Sequence, residues 1–279
     1  MSRPAPSALL PWLESLRCPH CAEPVELAER TLRCSRHHSF DLARAGYAPL
    51  LAGASPTSGD DDDMARARDS FLATGAYAPL REAIAQIAPP HIRRILDIGC
   101  GTGYYLAGLL EQRPDAHGLG VDTSVRALRF AARAHERAAA ASWDVFTRFP
   151  LADGSTDLVL DVFAPRHPEE FARVLAPGGH LLVVRPAPDH LEQLRTAVPG
   201  MVGVDPRKEE RLHEVLDPLF TTVRTVPVSF ALALDAPTAR DLVAMTPSAR
   251  HVGEQELRAL LTGTSEVTVS VVASLHRRR

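Results

Sequence analysis

The chain has 279 residues, which exceeds one average domain and predicts a catalytic domain of about 200 residues with a smaller module. Apolar residues make up 45% and charged residues 23%, and no run approaches the roughly 20 apolar residues that cross a bilayer, so no membrane span is expected. The formal net charge of −3 predicts no global positive field, so contact with nucleic acid would need local patches. The first residues lack a secretory signal, which predicts a cytoplasmic location.

Composition divides the chain into four parts. Residues 1–15 are rich in Pro and Ala and are predicted to be an N-terminal tail. Residues 16–52, the Cys/His module, are predicted to be compact. Residues 53–63, the acidic linker, are polar and end in four consecutive Asp, which could cap a helix beginning near Met64. Residues 64–279 are predicted to form the catalytic domain.

Three thiolates and one imidazole of the Cys/His module have the spacing of a metal site. They are Cys18, Cys21, Cys34 and His38. Four soft or borderline ligands suit tetrahedral Zn²⁺, and with every position filled by protein the ion would be structural. His20 and His37 are competing imidazoles, but His38 has the better spacing. A cluster of reduced buried cysteines is the alternative.

Helical and strand patterns alternate through the large domain. A helix with a break near Gly75 is predicted over 64–87. Further helices are predicted at 104–112, 124–139 and 168–175, and strands at 94–98, 118–122, 158–162 and 180–184. The segments 221–234, 238–245 and 267–275 predict further strands around a helix. This order predicts an α/β fold whose parallel sheet is covered on both faces and completed by an antiparallel pair.

An apolar strand ending in Asp97 turns into a helix through three alternating glycines, which let main chain approach a ligand closely. They are Gly99, Gly101 and Gly103. A dinucleotide fingerprint would need a glycine where Tyr104 stands. The D-x-G-x-G-x-G pattern instead resembles motif I of class I methyltransferases, so Asp97 and the three glycines are predicted to bind S-adenosylmethionine.

Two further acids lie at suitable distances from this turn. Asp122 ends a strand about 20 residues beyond the glycines, where a carboxylate can accept hydrogen bonds from ribose hydroxyls. Asp144 falls where related enzymes place an acid beside the adenine amino group, although a loop Asp that caps a turn is an equal alternative. The L-x-P-G-G turn at 175–179 adds support. The remaining alternative is a doubly wound domain without a cofactor.

The order of these features resembles the RlmA/TlrB family of 23S ribosomal RNA (guanine-N1)-methyltransferases from Leu16 onward. The stretches that carry the resemblance are RCPHC at 17–21, HSFD at 38–41, AGY at 45–47, MARAR at 64–68, FLATGAYAPL at 71–80, DIGCGTG at 97–103, FAP at 163–165, PDHL at 188–191 and AMTP at 244–247.

The resemblance implies a zinc-ribbon domain joined to a class I (Rossmann-like) methyltransferase domain. It implies that Tyr77, Gly101, Thr102 and His190 contact S-adenosylmethionine and that the four ligands named above hold zinc. The implied substrate is N1 of a guanine in a hairpin loop of 23S rRNA. The family also suggests a homodimer, and one branch of it protects macrolide producers from their own antibiotic, so antibiotic resistance is a possible role.

Guanine N1 must lose a proton during methyl transfer, and Asp161 and His167 are candidates to assist because they lie near the end of the fourth strand. For each, a purely structural role is the alternative. Arginines along one face of the helix after Asp122 are candidate RNA contacts, with solvation as the alternative. They are Arg126, Arg129, Arg133 and Arg137.

Two competing functions remain open at this point. The first is methylation of a small metabolite, with the zinc ribbon acting only as a lid. The second is an adaptor that binds S-adenosylmethionine without catalysing transfer.

Overall fold

The computed structural model describes residues 5–51, 60–205 and 207–279. Residues 1–4 of the predicted tail, Ala52 and most of the acidic linker (53–59) lie outside these ranges. The Cys/His module contains a small antiparallel sheet of β1 (Val25–Ala28), β2 (Thr31–Cys34) and β3 (Ser39–Asp41).

A mixed eight-stranded sheet forms the centre of the chain. Its strands are β4 (Ala48–Pro49), β5 (Arg94–Ile98), β6 (His117–Asp122), β7 (Ala138–Ser142), β8 (Thr156–Val162), β9 (Leu175–Pro186), β10 (Phe220–Leu234) and β11 (Ser265–Arg278). Their spatial order is β10-β11-β9-β8-β5-β6-β7-β4. Neighbours from β9 to β4 pair in parallel, whereas β11 and β10 add antiparallel strands at the other edge. The predicted parallel sheet with its antiparallel pair is confirmed.

Helices cover both faces of this sheet. They are α1 (Asp62–Ala73), α2 (Ala78–Ile87), α3 (Tyr104–Glu111), α4 (Val125–Ala134), α5 (Pro168–Val174), α6 (Glu192–Ala197), α7 (Lys208–Leu216), α8 (Ala236–Ala244) and α9 (Glu254–Leu260). The side chain of Asp61 caps α1 by accepting hydrogen bonds from two N–H groups of its first turn. The helix predicted over 64–87 breaks at Gly75, whose φ of 77° ends α1.

One predicted helix is shorter than expected. The pattern predicted helix over 124–139, but α4 ends at Ala134 and β7 begins at Ala138. Alanine is the best helix former, so local preference pointed the wrong way. Every residue of β7 is buried between β6 and β4, where small side chains let helices pack closely on both faces of a parallel strand.

The apolar residues of the central strands divide between two cores, one on each face. Ile95 belongs to the core that includes side chains of α1, α2, α3 and α8, whereas its neighbour Leu96 belongs to the core that includes side chains of α5, α7 and the Cys/His module. Both side chains are fully buried. This alternation is why the strand sequence is apolar at successive positions.

The segment predicted as a tail packs on the second of these faces. Residues Ser7–Trp12 form a 3-10 helix, and Trp12 is fully buried. Its indole N–H donates to the carbonyl of Gly118 on β6 at 3.1 Å. At the far edge, β4 pairs with β7, so the end of the Cys/His module extends the large sheet.

Within the described part of the chain, no helix combines the length and the apolar character that crossing a bilayer requires.

We predict that Trp12→Ala lowers the free energy of unfolding by about 3–5 kcal/mol, because it leaves a large cavity against β6. Denaturant titration of the zinc-loaded chain measures the change. Leu10→Ala is the matched control, because Leu10 lies in the same 3-10 helix and is 54% exposed. A Trp12 variant as stable as the Leu10 variant would contradict docking of this segment.

Candidate functional site

A cavity of about 720 Å³ opens at the carboxyl ends of β5, β6 and β8. The chain leaves β5 toward β6 on one side, and β8 lies on its other side, so this is the topological switch point of the sheet. Ligands of open α/β sheets bind at such points. Most of the residues that are predicted to contact a cofactor line this cavity. They are Tyr77, Asp97, Gly99, Gly101, Thr102, Asp122, Asp144 and His190.

The glycine turn (99–103) requires its glycines for two different reasons. At Gly99 the φ is 60°, and a Cβ would lie 2.8 Å from Cβ of Ala164, which also lines the cavity. A side chain at this position would therefore be strained and would clash with Ala164. Gly103 is not among the residues that line the cavity. A Cβ there would lie 3.1 Å from Cα of Ala131, so this glycine lets α4 pack against the start of α3.

Asp122 fastens the glycine turn to the end of β6. One carboxylate oxygen accepts the N–H of Gly101 at 2.9 Å, and the other accepts the N–H of Ser124 at 2.7 Å. Burial raises the pKa of Asp122, and these two hydrogen bonds partly oppose the shift. Each oxygen keeps a lone pair, so the carboxylate can also accept hydrogen bonds from ribose hydroxyls.

Asp144 both caps a turn and lines the cavity. Its carboxylate accepts the N–H of Phe146 at 3.0 Å. The turn-capping and the adenine-binding interpretations of Asp144 are therefore compatible. His190 also lines the cavity, where its Nδ1 accepts the N–H of Ser270 at 3.2 Å and its ring lies 5.9 Å from that of Phe163.

Asp97 provides the strongest test of whether a cationic ligand fits. The residue is 2% exposed, and its Oδ2 has no hydrogen-bond partner among the described residues. Burial, followed by the charges of Asp122 and Asp161, raises the pKa of Asp97 well above its usual range. An unpaired buried carboxyl group facing a cavity is costly unless a ligand satisfies it. The ammonium group of S-adenosylmethionine has the chemistry to do so.

The two predicted proton acceptors lie elsewhere. Asp161 is fully buried in β8, with Oδ2 3.5 Å from Nε of Arg166. Alternate strand residues point to opposite faces, so Val162 lines the cavity and Asp161 does not. His167 precedes α5, and its Nδ1 lies 3.0 Å from the carbonyl oxygen of Val145. The structure brings neither side chain to the cavity.

Several residues that line the cavity were assigned no cavity role from the sequence, among them Asp60, Arg68 and Phe163. The sequence places Asp60 in the acidic linker, and Arg68 and Phe163 belong only to stretches that carry the family resemblance. Phe163 has a φ of 59°, which is strained for an aromatic residue, and is 40% exposed. Its strained φ is a property of the folded backbone that composition does not reveal.

The candidate RNA contacts of α4 are only partly available. Arg137 donates hydrogen bonds of 2.5–2.7 Å to the main-chain carbonyls of Leu110 in α3 and of Arg113 and Ala116 after it. Arg126 pairs with Asp62. Arg129 and Arg133 are exposed. Arg137 lies beyond the end of α4, and two of the four predicted arginines, Arg126 and Arg137, therefore interact within the fold.

The predicted zinc ligands meet at one point of the Cys/His module. The ligand atoms of Cys18, Cys21, Cys34 and His38 all lie within 4.8 Å of one another. Sγ of Cys21 is 3.7 Å from Sγ of Cys34, and Nδ1 of His38 is 3.5 Å and 3.4 Å from Sγ of Cys18 and Cys34. A zinc–sulfur bond of about 2.3 Å gives a tetrahedral edge of about 3.8 Å, so a zinc ion fits between them.

We predict that Cys34→Ala releases about one zinc per chain, because three remaining ligands bind the ion far more weakly. Metal analysis after gel filtration measures the content. Cys100→Ala is the control, since Cys100 is a buried cysteine outside the cluster. Equal zinc in both variants would contradict the assignment.

We predict that Asp97→Asn changes how stability depends on pH. An acid whose folded pKa exceeds its unfolded value destabilises the fold above the unfolded pKa, here about 3.8, and the effect grows until pH reaches the folded pKa. The melting temperature of the variant relative to the original chain should therefore rise between pH 4 and pH 8. Calorimetric melting at several pH values measures it, and a constant or falling difference would contradict a buried, ionisable Asp97.

Comparison with solved structures places the fold among class I methyltransferases. A S-adenosylmethionine-dependent methyltransferase from Aquifex aeolicus is 13% identical with a TM-score of 0.51, and covers 79% of this chain and 99% of its own. The [4+2]-cyclase SpnF is 19% identical with a TM-score of 0.53, and covers 77% and 93%. Because one of these catalyses a cyclisation, the fold alone does not assign the reaction.

Sequence comparisons are more specific. Residues 95–179 match a family described as a methyltransferase domain, and residues 16–54 match one described as RlmA, N-terminal. A 23S rRNA (guanine(748)-N(1))-methyltransferase of Streptomyces fradiae is 45% identical over 94% of this chain and 96% of its own. A putative 23S rRNA (guanine-N(1)-)-methyltransferase of Micromonospora griseorubida is 41% identical over 96% and 98%. The cavity, the four-ligand cluster and these relatives together show that the chain belongs to the RlmA/TlrB family of S-adenosylmethionine-dependent 23S rRNA (guanine-N1)-methyltransferases.

Proposed function

We propose that this chain methylates N1 of a guanine that is exposed in a hairpin loop of 23S rRNA. The observation that carries the proposal is the cavity at the strand ends. We call the part lined by the acids expected to bind the donor its inner part, and the part lined by Phe163 and several arginines its outer part. One space can therefore hold a donor and a base together.

The inner part of the cavity has the groups needed to bind and orient S-adenosylmethionine, which supplies a methyl group on a sulfonium sulfur. Asp122 would hold the ribose hydroxyls, Asp144 the adenine amino group and Asp97 the ammonium group. Displacement at the methyl carbon requires donor and acceptor in line, so fixing the donor at several points is the main task of these residues.

The outer part of the cavity suits a base taken from RNA. Phe163 offers a ring on which a base can stack, and Arg195, Arg211 and Arg250 line the same opening. Arg211 pairs with Asp205 and Arg195 donates to the carbonyls of Pro188 and His190, so both guanidinium groups are held in place at the opening. Guanidinium groups recognise phosphate through planar hydrogen bonds. Loop bases are already unpaired, so moving one into a pocket is easier than opening a duplex. These features favour RNA over a small metabolite.

The N1 proton of guanine leaves during the transfer, and we do not assign it to Asp161 or His167. The buried carboxylate of Asp161 faces away from the cavity lining, and His167, which interacts with the main-chain carbonyl of Val145, does not line the cavity. Their roles are better explained by packing at the end of β8 and the start of α5.

Three further features of the proposal come from the family resemblance. The chain would work as a homodimer, it would act in the cytoplasm where ribosomal RNA is made, and its methylation would protect the ribosome against macrolides. Each can be tested separately from the methyl transfer itself.

We predict that the zinc-loaded chain transfers labelled methyl from S-adenosylmethionine to protein-free 23S rRNA. Primer extension should then stop at a guanine in a hairpin loop of domain II, because N1 methylation blocks base pairing. A transcript with that guanine changed to adenine is the control. No incorporation into RNA, with incorporation into a metabolite extract, would overturn the proposal in favour of a metabolite enzyme.

A further inference from the structure

The α1 side of the cavity contains a guanidinium group to which the proposed function assigns no role. Arg68 lines the cavity, and its side chain is 26% exposed. It lies directly over the glycine turn, since a Cβ at Gly101 would be 3.1 Å from its Cδ. The charge of Arg68 also acts to lower the pKa of Tyr77 and Tyr105, although burial has the larger effect on both phenols.

This guanidinium already binds one carboxylate. Its Nε donates to Oδ2 of Asp60 at 2.6 Å, and its Nη2 donates to Oδ1 at 3.1 Å. Nη2 also donates to the carbonyl of Met245 at 2.6 Å, which holds the planar group in place. The side chain of Asp60 is 13% exposed and lines the same cavity. A bidentate carboxylate therefore occupies the binding edge of Arg68.

The cavity also holds the opposite charge without a partner. Asp97 faces it with a buried oxygen that no described residue satisfies. A carboxylate and a guanidinium on one cavity complement the ammonium and carboxylate of an α-amino acid. The methionine end of S-adenosylmethionine carries both groups on a single carbon.

We propose that Arg68 binds the α-carboxylate of the methyl donor and that Asp60 occupies the same guanidinium edge until the donor replaces it. The inference rests on the proposed function only in taking S-adenosylmethionine as the donor. It makes Asp60 an internal competitor that lowers donor affinity.

The exchange requires only the side chain of Asp60 to move. Its main-chain carbonyl accepts the hydroxyl of Ser124 at 2.6 Å, and the next residue, Asp61, caps α1. The main chain of this segment can therefore stay fixed. Replacing one carboxylate by another keeps Arg68 paired.

The test is calorimetric titration of the zinc-loaded chain with two ligands, S-adenosylmethionine and decarboxylated S-adenosylmethionine, which differ only in the carboxylate. Arg68→Gln should weaken binding of the first by roughly 30-fold or more, because a charge-assisted bidentate pair is lost. It should not weaken binding of the second. Asp60→Asn should tighten binding of the first by roughly tenfold without tightening the second.

Arg66→Gln is the matched control. Arg66 lies on the same helix, its side chain is 65% exposed and it pairs with Asp63. This variant should bind both ligands as the original chain does. Thermal melting of each variant establishes that it is folded before titration.

Two results would overturn the inference. Equal weakening of both ligands by Arg68→Gln would show that the residue does not recognise the carboxylate. Weaker binding of S-adenosylmethionine by Asp60→Asn would show that Asp60 positions Arg68 instead of competing. Neither titration involves RNA, so a chain that shows the expected pattern but does not methylate 23S rRNA would refute the proposed function and leave the inference standing.

Discussion

The site depends on one pair of hydrogen bonds, from the N–H groups of Gly101 and Ser124 to the carboxylate of Asp122. The first joins the turn after β5 to the end of β6, and the second holds the carboxylate in place, so that together they fix the glycine turn beside the cavity. The same carboxylate stands near Asp97, and burial raises the pKa of both. Two neighbouring buried acids favour a cationic ligand in this cavity. The sulfonium group of the donor is such a cation.

The Cys/His module is attached to this catalytic domain through the sheet itself. β4 pairs in parallel with β7, and Leu16 bridges to Leu151, which follows β7 in the chain. Trp12, just before the module, is buried against β6. The zinc ion therefore stabilises a unit that continues the central sheet. Any contribution of the module to RNA binding would start from a fixed position beside the methyltransferase domain.

Features encoded in short segments could be predicted from the sequence, whereas features that depend on long-range packing could not. The residues of the glycine turn, and the four zinc ligands between Cys18 and His38, each lie within one short segment of the chain. Their spacing in the sequence therefore reveals them. The alanines of β7 favour a helix locally and become a strand because β6 and β4 enclose them. Asp161 was chosen for its place at a strand end, but the strand's alternation turns it away from the cavity. Arg68 and Asp60 were missed because only the fold brings them to the glycine turn.

The most direct measurement of the central claim is titration calorimetry of the unsubstituted, zinc-loaded chain with S-adenosylhomocysteine, the demethylated product of the donor. The titration is done at two temperatures, because the enthalpy of binding can be close to zero at one of them. We expect saturable binding of one molecule per chain, with a heat of binding that changes between the two temperatures because apolar surface is buried. A folded chain that shows no heat of binding at either temperature would contradict it.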